Sequence, residues 1–140
     1  MIIYTKLDNY NKNFIYFGEN IKNTVIINGK FIRIVYSDEL CTLNGIYILV
    51  PFSNLKKNSQ NSFSIDKNDP VIAKICEMEK DILDKYSSSK TKEYKLAEQL
   101  EKNTVKIFSS KNNLQTIIIK ISGLWESDTA YGLTYKFINY

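Results

Sequence analysis

Trp125, Tyr131 and Tyr135 lie close together near the end of the 140-residue chain, interleaved with Lys120 and Lys136. Aromatic rings offer flat faces on which bases stack, and lysines neutralise phosphates. The mixture is therefore the chemistry that holds an unpaired nucleic-acid strand without reading its sequence. Stacking is worth about 1–3 kcal/mol per base, so two or three well-placed rings suffice. Lys30, Phe31 and Arg33 repeat the mixture upstream, with Phe31 and Arg33 on one face of a strand. Arg33 is the only arginine. Bidentate reading of guanine edges favours arginine, so phosphate and stacking contacts with strong salt dependence are expected instead. A core reading competes at each ring. Tyr131, Leu133, Tyr135 and Phe137 alternate onto one face, which serves equally as the inside of a β domain. Trp125 serves equally as an anchor packed on Gly123 and Gly132.

Other chemistries find fewer residues. The chain has no histidine, which removes the commonest general base and metal ligand together. Cys41 and Cys76 are far apart and are expected to be buried thiols rather than a bridge. Paired carboxylates occur at Asp38-Glu39, Glu77 with Glu79, and Glu126 with Asp128. All are expected on solvated surface, except that Glu79 falls on an apolar helical stripe, where a lysine partner is expected. No phosphate-cradling glycine loop is present. The expectation is a binding protein, not an enzyme, with no metal and no cofactor.

The elements that must position these residues begin with strands. Phe14–Phe17 ends at Gly18, and Thr24–Ile27 is followed by Asn28-Gly29, a hairpin signal. Lys30–Tyr36 alternates, with Ile32, Ile34 and Tyr36 opposite Phe31, Arg33 and Val35. Leu40–Leu43, a second hairpin signal at Asn44-Gly45, and Ile46–Val50 follow, and Pro51 ends the run. Residues 53–62 form a polar loop. Asp69-Pro70 then starts a helix, with Asp as N-cap and Pro at the first helical position. Val71, Ile72, Ile75, Cys76, Ile82, Leu83 and Tyr86 make its apolar stripe. Ser87–Lys90 breaks it, and a weaker helix near Lys92–Lys102 offers Leu96, Ala97 and Leu100. Strands resume at Val105–Phe108 and Leu114–Gly123, and a final hairpin turns at Ser127–Ala130.

The predicted fold is one β-rich α+β domain spanning residues 1–140. About seven strands form an antiparallel barrel of the oligonucleotide-binding type, or a sandwich, with a helical insertion at 69–102. Residues 66–102 carry 8 lysines and 9 acids, and the remaining, mainly β, portion carries the excess positive charge of the +4 chain. That is a modest footprint for a polyanion. No apolar run reaches the roughly 18–20 residues of a membrane span, and no signal peptide is evident, so a soluble, intracellular protein is expected.

Lys120–Glu126 with Tyr131–Phe137, together with Phe31–Asp38 and Asn44-Gly45, resembles a family of small, largely uncharacterised proteins of nucleocytoplasmic large DNA viruses. Lysine, isoleucine, asparagine, tyrosine and phenylalanine, residues with AT-rich codons, fill half the chain and agree with such a genome. A looser architectural similarity is to phage-type single-stranded DNA-binding proteins, although no acidic tail follows Asp128 here. The resemblances imply a role in viral DNA replication, recombination or repair, in the host cytoplasm or nucleus or in the virion. Lys30, Arg33, Lys120 and Lys136 would hold phosphates, and Phe31, Trp125, Tyr131 and Tyr135 would offer rings. Expected partners are single-stranded nucleic acid, other copies of the chain, and viral replication or virion proteins. The alternative is a β-sandwich virion component or assembly protein. A regulator that docks through the helical insertion is a third reading.

Overall fold

The computed structural model describes residues 3–23, 29–108 and 116–140. Its architecture is β-rich α+β. The strands are β1 (Thr5–Lys6), β2 (Ile15–Asn23), β3 (Gly29–Ser37), β4 (Thr42–Asn44), β5 (Ile46–Leu49), β6 (Lys56–Lys57), β7 (Ser62–Ser64), β8 (Thr91–Lys92), β9 (Thr104–Phe108), β10 (Ile117–Glu126) and β11 (Ala130–Asn139). The helices are α1 (Pro70–Tyr86) and α2 (Lys95–Glu101). The predicted run Thr24–Ile27, the Asn28 half of its hairpin signal and Leu114 lie outside the described residues.

The β10–β11 hairpin is the centre of the sheet. On one side β10 borders two strands in succession, β5 along Ile118–Ile121 and β3 along Gly123–Glu126. Gly45 makes this sharing possible. The expected hairpin at Asn44-Gly45 is instead a corner: β4 pairs with β3, β5 pairs with β10, and the Gly45 amide donates to the Ile34 carbonyl at 2.8 Å. Its φ of +98° is a conformation that side chains rarely adopt. β2 pairs with β3 and runs through Gly18 by a bulge, so it extends well beyond the predicted Phe17.

An antiparallel barrel is not what forms. The sheet is mixed, with parallel pairs β1–β5, β8–β11 and β9–β11. β11 inserts between β9 and β10, antiparallel to β10 and parallel to β9. Among the described residues no pairing joins β6 back to β1 or β2, so the sheet is open.

The helical insertion sits where the sequence places it. Asp69 accepts from the Val71 amide at 3.0 Å and from the amide and hydroxyl of Ser53, which ties the start of α1 to the chain after β5. Val71, Ile75, Met78, Ile82 and Leu83 of α1, with Leu96 and Leu100 of α2, pack into one core with the sheet's inner face. α2 starts later than predicted, because Thr91 and Lys92 are taken by β8 pairing with β11. Cys41 is exposed, contrary to expectation, in a turn whose amides are held by Asp38; it and the partly buried Cys76 are free thiols.

Two carboxylates are interior, Glu79 on the apolar stripe of α1 and Glu126 contrary to its expected place at the surface. Glu79 is fully buried and accepts from the Leu96 and Ala97 amides at 2.9 and 3.0 Å. It caps α2 from a distance, since the N-cap residue Tyr94 supplies no side-chain acceptor. Its partner is backbone, not the predicted lysine. Burial pushes its pKa up, against the lowering effect of the two amide donors. Glu126 is also buried, accepts from the Ser88 hydroxyl at 2.7 Å, and has the Lys90 ammonium at 3.7 Å.

Candidate functional site

Strand register sorts the eight candidate residues onto two faces, because side chains alternate sides and directly opposed residues share a side. Glu126 faces Tyr131 and Trp125 faces Gly132 across the final hairpin, and a bulge at Ser122 shifts the register by one residue, which brings Lys120 opposite Lys136 and onto the same side as Trp125. On the other flank of β10, Trp125 faces Phe31, Gly123 faces Arg33, and Lys120 faces Tyr47. The outer face therefore carries successive rows across the strands. The first is Ile21, Phe31, Trp125 and Gly132; the second Arg33, Gly123 and Thr134; the third Tyr47, Lys120 and Lys136; the fourth Leu49, Ile118 and Ile138.

Five candidates thus share one face. Phe31, Lys120 and Trp125 are partly exposed, and Arg33 and Lys136 are exposed. Lys30 is exposed at the start of β3, one residue before Phe31, but faces Glu126 on the other side of the strand parity. The two tyrosines are a correction. Tyr131 is fully buried, donates to the Leu83 carbonyl at 3.0 Å, and packs on Tyr86 with ring centroids 5.6 Å apart. It has no ring face to offer. Tyr135 also points inward, edge-on to Phe137, with its hydroxyl donating to Gln99 of α2. Burial pushes the Tyr135 pKa up to about 12, with the Glu79 and Glu98 charges adding to the rise.

The two outer rings are seated on glycines. A Cβ on Gly132 would come within 2.9 Å of Trp125 Cζ2 and Nε1 and of the Glu93 carbonyl oxygen. A Cβ on Gly123 would come within 2.8 Å of Phe31 Cζ and 2.2 Å of the Ile32 carbonyl oxygen. Covering a bare strand glycine with a ring on the neighbouring strand stabilises the sheet and fixes the ring's place. The rings are thus preorganised, which lowers the entropic cost of any ligand that stacks on them.

The charges are arranged less comfortably. Like charges directly opposite each other destabilise a strand pair, yet Lys120 and Lys136 are opposed. Among the described residues no carboxylate forms an ion pair with Lys30, Arg33, Lys120 or Lys136, although Glu19 lies in the β2 bulge opposite Arg33. Only Tyr47 tempers Lys120, whose ammonium lies 5.7 Å from the ring centroid. Elsewhere lysines do find acids: Lys74 pairs with Asp8, Lys92 with Asp84, and Lys95 with Glu93.

Tyr47 and Ile21 belong to this face and were missed from the sequence. Ile46–Val50 looks continuously apolar, but Ile46, Ile48 and Val50 are fully buried and alternate with partly exposed Tyr47 and Leu49. Ile21 is 46% exposed beside Phe31, on a stretch of β2 that continues past the predicted end.

No protein-family model, curated protein or solved structure matches the chain.

Proposed function

We propose that the protein binds unpaired nucleic acid, without sequence preference, on the outer face of the β3–β10–β11 sheet. The supporting observation is that face's rows: two glycine-seated rings side by side, then three cations that form no ion pair among the described residues. Phe31 and Trp125 receive bases, while Arg33, Lys120 and Lys136 neutralise phosphates, with Lys30 at the margin. Tyr131 and Tyr135 have a different role, holding the helices against the sheet. The activity is capture, not catalysis, and needs no cofactor. The barrel of the oligonucleotide-binding type belongs to this proposal as an analogy of use: a curved sheet presenting rings and cations to a strand. The proposed setting for such capture is viral DNA replication, recombination or repair.

Binding of labelled single- and double-stranded oligonucleotides, followed by anisotropy and by Trp125 emission, tests this. Single strands are expected to bind in preference and to quench Trp125. With three or four phosphates neutralised, log K against log salt should fall with a slope of about −2 to −3. Absence of single-strand binding at low salt overturns the proposal.

One observation favours a second reading, a self-assembling virion component. Among the described residues β2 pairs only with β3, and it exposes Tyr16 (57%) and Ile21 (46%). A strand with an open edge is a template for another chain. Ordered oligomers that ignore DNA, seen by light scattering, would select it. No described helix is long and apolar enough to cross a membrane.

A further inference from the structure

Resting on the binding reading above, we infer that the ligand is a short unpaired stretch of about four nucleotides, lying along β10 and not across the strands. Rings and cations are separated along the strand axis. Phe31 and Trp125 share one row, Arg33 stands on the next, and Lys120 and Lys136 stand on the one after. On β11 this track runs from Gly132 to Lys136, about 14 Å at strand rise. Successive rows are about 7 Å apart, a spacing that one backbone repeat of an extended single strand can follow.

Both ends and one side of the track are bounded. Beyond the lysine pair the row is Leu49, Ile118 and Ile138, with no cation, and Ile118 is fully buried. Beyond the rings the hairpin tip carries the exposed Asp128. A path across the strands leaves Trp125 over Gly132 and meets the Glu93 carbonyl, an acceptor that offers a phosphate no donor. Room remains for bases at the ring end and two or three phosphates behind them. That is the short end of the range of about 4–16 nucleotides seen for single-strand binding folds. Gaps, frayed ends and loops, in DNA or RNA, are then sufficient ligands.

The test titrates the full chain with thymidine oligomers of two, four and twelve nucleotides, reading Trp125 quenching. The tetramer should bind as tightly per site as the 12-mer once the registers the longer oligomer offers are counted, and the dimer should lose most of the affinity. The 12-mer should accept about three copies. Arg33→Gln and Lys136→Gln should each weaken the tetramer, while Lys56→Gln, on the exposed strand β6 at the sheet's far edge, should not. A uridine series identifies the sugar, and tight binding of either tetramer satisfies the inference. If the 12-mer binds well and the tetramer fails by more than about a hundredfold, the footprint is overturned and the binding reading survives. If the 12-mer fails at low salt, the binding reading itself falls.

Discussion

The two faces of the β10–β11 hairpin use the same residue types for opposite ends. Inside, Tyr131 and Phe137 are almost wholly buried, and the hydroxyls of Tyr131 and Tyr135 reach the helices. Outside, Trp125 and Phe31 rest on glycines and keep part of their surface in solvent, flanked by cations without acidic partners. An aromatic residue in a β domain is thus not informative by its type. What separates structure from binding is which side of the pleat it takes and whether its neighbours are satisfied.

The comparison breaks first at Tyr131. Tyr131→Ala removes a fully buried ring and is expected to destabilise the fold by about 3–5 kcal/mol in chemical denaturation. Tyr131→Phe keeps the ring and loses the hydroxyl's bonds to the Leu83 carbonyl and the Ser88 backbone, at about 1–2 kcal/mol. Whatever fraction of either variant remains folded should bind single strands as the parent does. Weakened binding by folded Tyr131→Phe would show that the two faces are not functionally separate.

Glu79 gives the next largest effect, on the inner side alone. Glu79→Leu leaves the Leu96 and Ala97 amides without acceptors and should cost about 2–4 kcal/mol. The parent's pH dependence has a definite sign. Because burial raises the folded pKa above the ordinary 4.5, the folded state binds the proton more tightly than the unfolded chain. This contribution to stability is fully present below the ordinary value. It is lost as pH rises from there through the raised folded value. Glu79→Gln should remove that segment of the stability profile. An unchanged profile would mean that the carboxyl titrates normally.

Much of this division was legible in sequence, but not all of it for the same reason. Alternation in Lys30–Tyr36 and the Asp69-Pro70 helix start are local, and the structure follows both. The hairpin tip at Ser127–Ala130 was also placed correctly; once Glu126 faces Tyr131, Trp125 must take the side opposite Tyr131 and Tyr135. That parity follows from the tip alone and separates Trp125 from both tyrosines, while burial decides that the tyrosines take the inner side. Asn44-Gly45 announces a positive φ but not which strands it joins, and here it links partners of β3 and β10. The parallel β9–β11 pairing and the capping of α2 by Glu79 join residues distant in sequence through backbone groups, which carry no residue-type signature.

On the outer face the rings come first. Trp125→Leu and Phe31→Leu keep apolar cover over Gly132 and Gly123 while removing the π-face. Each should weaken single-strand binding by about 1–3 kcal/mol, roughly 5- to 150-fold, with a smaller change in stability. Equal losses of stability and binding would assign the rings to the sheet alone.

The smallest effect is the most discriminating, because its two components have opposite signs. Lys120 and Lys136 face each other across β10 and β11 without an acid between them, so the fold bears their repulsion. Replacing both with Gln should leave stability unchanged or raise it by up to about 1 kcal/mol at low salt, an increment that added salt removes. The same pair of substitutions should reduce the salt slope of single-strand binding by about 1.4, the share of two phosphate contacts. A purely structural pair would show neither the gain in stability nor the loss of slope, since surface lysines that serve only solubility are free to move apart. A gain in stability with an unaltered slope would place the phosphates elsewhere on the molecule. Only a stabilising change that weakens binding identifies strain in the free protein that an anionic strand relieves.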